Sequence, residues 1–136
     1  LRAGERRMAN HAQDWFKQAI RDLIQARNSQ LAGHHEWACF AAHQAAKKAV
    51  KALHLHLGQE AWGHVVARLL QELPEEVAVP EELIENGRVL DGYYIGPRYP
   101  NMHPEGAPFE HYGPLQSGEA ISYASEIIEF VRSQMA

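Results

Sequence analysis

Two alanine-rich stripes, separated by only a few residues, constrain this chain more than any other feature. In the first, Ala12, Trp15, Ala19, Leu23 and Ala26 recur at steps of three and four, which predicts an amphipathic helix over residues 10–31. Asn10 is its expected N-cap and Gly33 its stop. In the second, Cys39, Ala42, Ala46, Ala49, Val50, Leu53 and Leu57 fall on one side of a helix over residues 35–57, and Gly58 ends it. Small side chains let a neighbouring helix come close, and so short a connection leaves these two only one arrangement, an antiparallel hairpin.

The remaining segments extend the pattern. Val66, Leu69 and Leu70 mark a shorter helix over 63–73 that stops before Pro74; "PEEVAVPEE" is a connector. Leu83, Ile84, Val89 and Leu90 mark a fourth helix over 80–93. The last is expected to start at Ser117 as N-cap and to run through Ala120, Ile121, Ala124, Ile127, Ile128 and Val131. No segment alternates with period two over a useful length, and no repeat is visible. The reading is an all-α, up-and-down bundle of four to five helices in one domain over 9–136, with residues 1–8 as an N-terminal extension and Met8 as the expected true start of the protein.

Charge and cysteine usage narrow the function classes. A formal net charge of −4 argues against a protein that coats nucleic acid non-specifically, because that needs a basic face to displace counterions from phosphates. The one local basic cluster, "KKAVK" with Lys47, Lys48 and Lys51, reads as the solvated face of a helix in preference to a phosphate site. Cys39 is the single cysteine, which rules out an intrachain disulfide and favours a reducing cytoplasm; it reads as a small buried hydrophobe. No apolar run has the length of a membrane span or a signal peptide.

Between the fourth and last helices the chain changes character. From Tyr93 to Leu115 it carries Pro97, Pro100, Pro104, Pro108 and Pro114 among Tyr93, Tyr94, Tyr99, Phe109 and Tyr112. Unstructured loops beyond about 12 to 15 residues are uncommon in compact domains and are functional or disordered. So many aromatic residues favour a loop packed across the bundle over a solvated linker. Two uses stay open: a binding site, or a lid of tyrosines over the open end of the helices.

The strings "AQDWFKQAIRDLIQA", "CFAAHQAAKKAVKALHLHLG", "LDGYYIGPRYPN" and "SGEAISYASEIIEFVRSQM" together resemble the HEPN domain (higher eukaryotes and prokaryotes nucleotide-binding), in particular the small bacterial type encoded beside a minimal nucleotidyltransferase. The resemblance covers about residues 9–135, and "YYIGPRYPN" is its most specific part. It implies a dimer and either nucleotide binding or metal-independent RNA cleavage by an arginine and histidine spaced R-x(4–6)-H. Arg98 and His103 meet that spacing, with Tyr94, Tyr99 and Asn101 beside them as binding residues. The spacing alone selects nothing, because Arg6 with His11 and Arg27 with His34 also satisfy it; position in the loop singles out Arg98. In toxin members a tyrosine follows the histidine by two places, and here that place is Glu105.

The chemistry of the pair is intelligible. A guanidinium can hold a phosphate through paired hydrogen bonds, and an imidazole can move a proton on or off a ribose hydroxyl. The other histidines offer no metal site: His54 and His56 lie about 200° apart on a helix, and His43, His64 and His111 have no acidic or cysteine partner at a ligand spacing. No metal and no cofactor is therefore expected. Three functional readings follow: a nucleotide-binding module paired with a minimal nucleotidyltransferase as in a toxin–antitoxin pair; a metal-independent ribonuclease acting on single-stranded RNA through Arg98 and His103; and a structural α-bundle. Trp37 and Phe40, outside the main stripe, add the expectation of a homodimer.

Overall fold

The computed structural model describes residues 11–136, so the expected N-cap Asn10 and the extension over 1–8 lie outside the described residues. Five α-helices make up the bundle: α1 Ala12–Leu31, α2 His35–His56, α3 Val66–Gln71, α4 Glu81–Asp91 and α5 Pro114–Met135. Short 3-10 turns occupy Glu75–Val77, Pro100–Met102 and Pro108–Glu110, and among the described residues there is no strand. No described helix is long and apolar enough to cross a membrane.

The α1–α2 hairpin ends as its glycines direct. Gly33 and Gly58 take φ of +81° and +79°, the left-handed region that L side chains avoid. Each closes a Schellman motif. His34 N–H reaches Ser29 O at 2.8 Å and Gly33 N–H reaches Gln30 O at 3.0 Å; Gln59 to His54 and Gly58 to Leu55 repeat the pattern at 2.8 and 3.0 Å.

Helix α2 is the centre of the molecule, packed against α1, α3, α4 and α5. The single stripe read from the sequence is therefore incomplete. Ala38, Ala45 and Ala52 form a second row, seven residues apart, that is as fully buried as Cys39, Ala42, Ala46 and Ala49. A helix covered on several sides must be small or apolar all round, which is why alanine dominates it. Leu57 falls just past the helix end and is exposed. On α1 the core position belongs to Phe16, while Trp15 is half-buried at the margin; on α4 Val89 turns to solvent. The α5 stripe from Ala120 to Val131 is buried as expected.

Helix α5 begins three residues before its expected cap. Pro114 opens it, its fixed φ already helical and its missing N–H of no cost in the first turn. Gly113 is the N-cap, and its N–H donates to Gln116 Oε1 at 2.7 Å. Ser117 is instead buried one turn inside, where its hydroxyl meets His35 Nδ1 at 2.8 Å and ties α5 to the start of α2.

Candidate functional site

One face of α2 presents Phe40, His43 and Lys47, the spacing of adjacent turns, to the connector before α3 and to the start of the loop after α4. Asp91, the last residue of α4, organises the junction. Its Oδ1 accepts the Val66 N–H at 2.6 Å and its Oδ2 the Ala67 N–H at 3.1 Å, so a carboxylate distant in sequence caps the six-residue helix α3. His43, fully buried, donates from Nε2 to His64 O at 3.0 Å and meets Asp91 Oδ1 at 3.3 Å. The acidic partner that sequence spacing did not reveal for His43 is thus Asp91, brought from 48 residues away. Its Nδ1 is buried without a hydrogen-bond partner.

Tyr94 lies at the middle of the cluster. His64 stacks on it with centroids 4.8 Å apart and planes 17° apart; Phe40 lies at 6.3 Å and 27°, and His43 at 5.2 Å. The Arg98 guanidinium sits 4.8 Å from the Tyr94 centroid, 4.5 Å from that of Phe40 and 5.0 Å from that of Tyr99. Its Nε donates to Tyr94 O at 2.8 Å, which fixes the fork; Nη1 reaches the Tyr99 hydroxyl only at 3.5 Å, so the Nη edge stays available to a ligand. Lys47 Nζ approaches the Tyr94 ring to 5.6 Å and donates to His64 Nδ1 at 3.1 Å.

The reading of "KKAVK" as a solvated face is corrected here. Lys47 is only 6% exposed, Lys48 is part-buried in an ion pair with Asp22 at 2.6 Å, and Lys51 lies over the Trp15 ring at 5.6 Å. Because α2 is surrounded, its polar face is covered as well. Burial pushes the Lys47 ammonium down to about 8, helped by Lys51, Lys48 and Arg98 and opposed by Asp22. His64 is lowered too, by desolvation first and then by Lys47, Lys51, His43 and Arg98. Cys39, inert in the core, is pushed up to about 12 by burial and Glu36.

Arg98 and His103 make separate sets of contacts. His103 donates from Nε2 to Gly96 O at 2.8 Å, stacks on His111 with centroids 4.2 Å apart and planes 3° apart, and meets the edge of Tyr112 at 5.8 Å. Of the expected binding residues, Tyr94 is enclosed by its stacking partners, Tyr99 is half-exposed, and Asn101 is exposed in the 3-10 turn. Sequence reasoning missed Lys47 and His64. The available signal was the alanine on several sides of α2, which says that some of its lysines must be covered.

The fold and loop define a small all-α bundle that carries an arginine, bedded on aromatic rings, between its last two helices. The chain belongs to the HEPN domain family, whose model matches residues 12–134. Among solved structures it is similar to TT1696 from Thermus thermophilus, at 50% identity over 92% of this chain and 98% of that one, TM-score 0.91. It is also similar to ST0689, an archaeal HEPN homologue, at 37% identity over 93% and 99%, TM-score 0.77. A HEPN domain protein from Thermotoga maritima, tm0613, matches at 33% identity over 88% and 95%, TM-score 0.71. Among curated proteins none matches.

Proposed function

We propose that this chain is a nucleotide-binding HEPN module, dimeric and paired with a minimal nucleotidyltransferase in a toxin–antitoxin-like system, and that Arg98 holds the nucleotide's anionic part. The observation that carries the reading is the setting of Arg98. Its guanidinium is oriented by a backbone carbonyl and bedded on three rings, yet among the described residues no carboxylate pairs with it. A cation positioned at such cost in side-chain freedom and left without a counterion is suited to an external anion. Tyr99, half-exposed and beside the guanidinium, is the ring with room for a base.

Calorimetric titration with the four nucleoside monophosphates tests this. Arg98→Ala should weaken binding by about 1.5 to 3 kcal/mol, the range for hydrogen bonds to charged groups. Unchanged affinity would return the loop to a structural lid.

The ribonuclease reading needs His103 free to exchange a proton beside Arg98. The His103 imidazole is instead engaged with Gly96, His111 and Tyr112, which favours binding over cleavage.

A further inference from the structure

The acids near this cluster are already committed. Asp22 pairs with Lys48, and Asp91 accepts two backbone N–H groups and faces His43. Lys47 is left buried with no carboxylate within ion-pair distance among the described residues, and its one polar partner is the neutral ring nitrogen of His64. Arg98, with no carboxylate either, approaches the same Tyr94 ring and adds to the repulsion that Lys47 feels. Two uncompensated cations sharing one aromatic ring is an unfavourable arrangement for the empty protein. It becomes favourable when an anion lies between them. The α3 N-terminus does not compete for that anion, because Asp91 already occupies its N–H groups.

We propose that Lys47 and Arg98, with the outer N–H of His64, form one phosphate site around Tyr94, so that the bundle and the loop grip the ligand together. The proposal rests on the nucleotide-binding reading of Arg98 and extends it to residues of α2 and of the connector before α3. Since Lys47 Nζ donates to His64 Nδ1, the neutral imidazole carries its proton on Nε2, and His64 is exposed. The chemistry suits a phosphomonoester or the terminal phosphate of a nucleotide: a point charge from Lys47, a fork from Arg98 and a neutral donor from His64. A bound phosphate would also clip the loop to α2, since Arg98 comes from one and Lys47 from the other.

The test is calorimetry on the intact chain with inorganic phosphate and the four nucleoside monophosphates, comparing wild type with Lys47→Met, His64→Gln and Arg98→Ala. Lys47→Met should weaken both kinds of probe by about 10- to 100-fold, the equivalent of one charge-assisted hydrogen bond. In buffers of different ionisation heat, wild type should take up protons on binding near pH 8.5, as the anion restores the Lys47 charge against Lys51, Lys48, Arg98 and His64, with Asp22 acting in the same direction as the anion. Lys47→Met should show less uptake. His64→Gln, which keeps an N–H donor, should bind within a few-fold of wild type and shows whether the junction tolerates substitution. If Arg98→Ala weakens binding but Lys47→Met does not, and proton uptake is unchanged, the phosphate site is overturned while the nucleotide-binding module stands. If wild type binds none of the probes, both fall.

Discussion

His103 Nε2 donates to the carbonyl of Gly96 at 2.8 Å, closing a seven-residue span of the proline-stiffened loop around Arg98. The imidazole therefore works as a brace, with His111 stacked on its face at 4.2 Å. Purified protein incubated with single-stranded RNA and EDTA should leave the RNA intact. Cleavage that survives EDTA and falls by roughly 10² to 10⁴ in His103→Ala, the usual size of a lost general acid–base, would reinstate the ribonuclease. As a brace, His103→Ala should cost about 1 kcal/mol of stability, the typical net worth of one hydrogen bond.

Gly96 is buried for a different reason. Its φ is unremarkable, but a Cβ there would run into the Tyr112 hydroxyl, with the ring carbon Cζ next at 3.7 Å. Gly96→Ala should destabilise by about 1 to 3 kcal/mol, the range for overpacking. Adding Tyr112→Phe removes the obstructing oxygen and should recover part of that loss in thermal denaturation. No recovery would show that the glycine serves something other than this approach.

Asp91→Ala would uncap α3 and strip the buried His43 of its acidic neighbour. A lost cap costs about 0.5 to 2 kcal/mol, and a buried donor left less well satisfied adds about 1 to 3 kcal/mol, so a total loss of about 1.5 to 5 kcal/mol is expected. Denaturant unfolding reads it; a loss below about 0.5 kcal/mol would mean that the junction forms without the carboxylate.

Lys47 gives stability an inverse pH signature. Its folded value, about 8, lies below its ordinary 10.5, so between those values the unfolded chain binds the extra proton and the contribution of Lys47 to stability rises with pH. Below pH 8 its buried charge opposes folding in full, beside Lys48, Lys51 and Arg98 and against Asp22. Lys47→Met should therefore be more stable than wild type at pH 7 without an added anion. Its advantage should shrink towards pH 10.5. Paired melts across this range check the sign, and a destabilised Lys47→Met would make the lysine a structural support.

Assembly is the remaining prediction. Trp37 is 50% exposed and, with Phe40 and Ala41, forms the apolar part of a groove of about 430 Å³ between α1 and α2 whose remaining lining is polar. That apolar surface favours a two-fold dimer. Sedimentation should show a dimer at micromolar concentration and a shift towards monomer in Trp37→Glu. A wild-type monomer would remove the expectation.

What the sequence determined by itself was everything carried by local periodicity and backbone chemistry. The stripes of α1, α2 and α5 placed the helices, and Gly33 and Gly58 placed two of their ends, because a left-handed residue after a helix admits little else. The odd loop and its arginine were legible too, since prolines and aromatics in one long connection stand out from amphipathic helix. Tertiary structure decided the rest, through pairs of residues that no spacing rule connects. Asp91 caps a helix that begins 25 residues earlier, and Lys47 meets His64 and Tyr94 only because α2 runs through the centre of the bundle. Whether a lysine on a helix is solvated or buried depends on what packs over it. Periodicity along one helix reports that helix's faces, but how many of those faces are covered is a property of its neighbours.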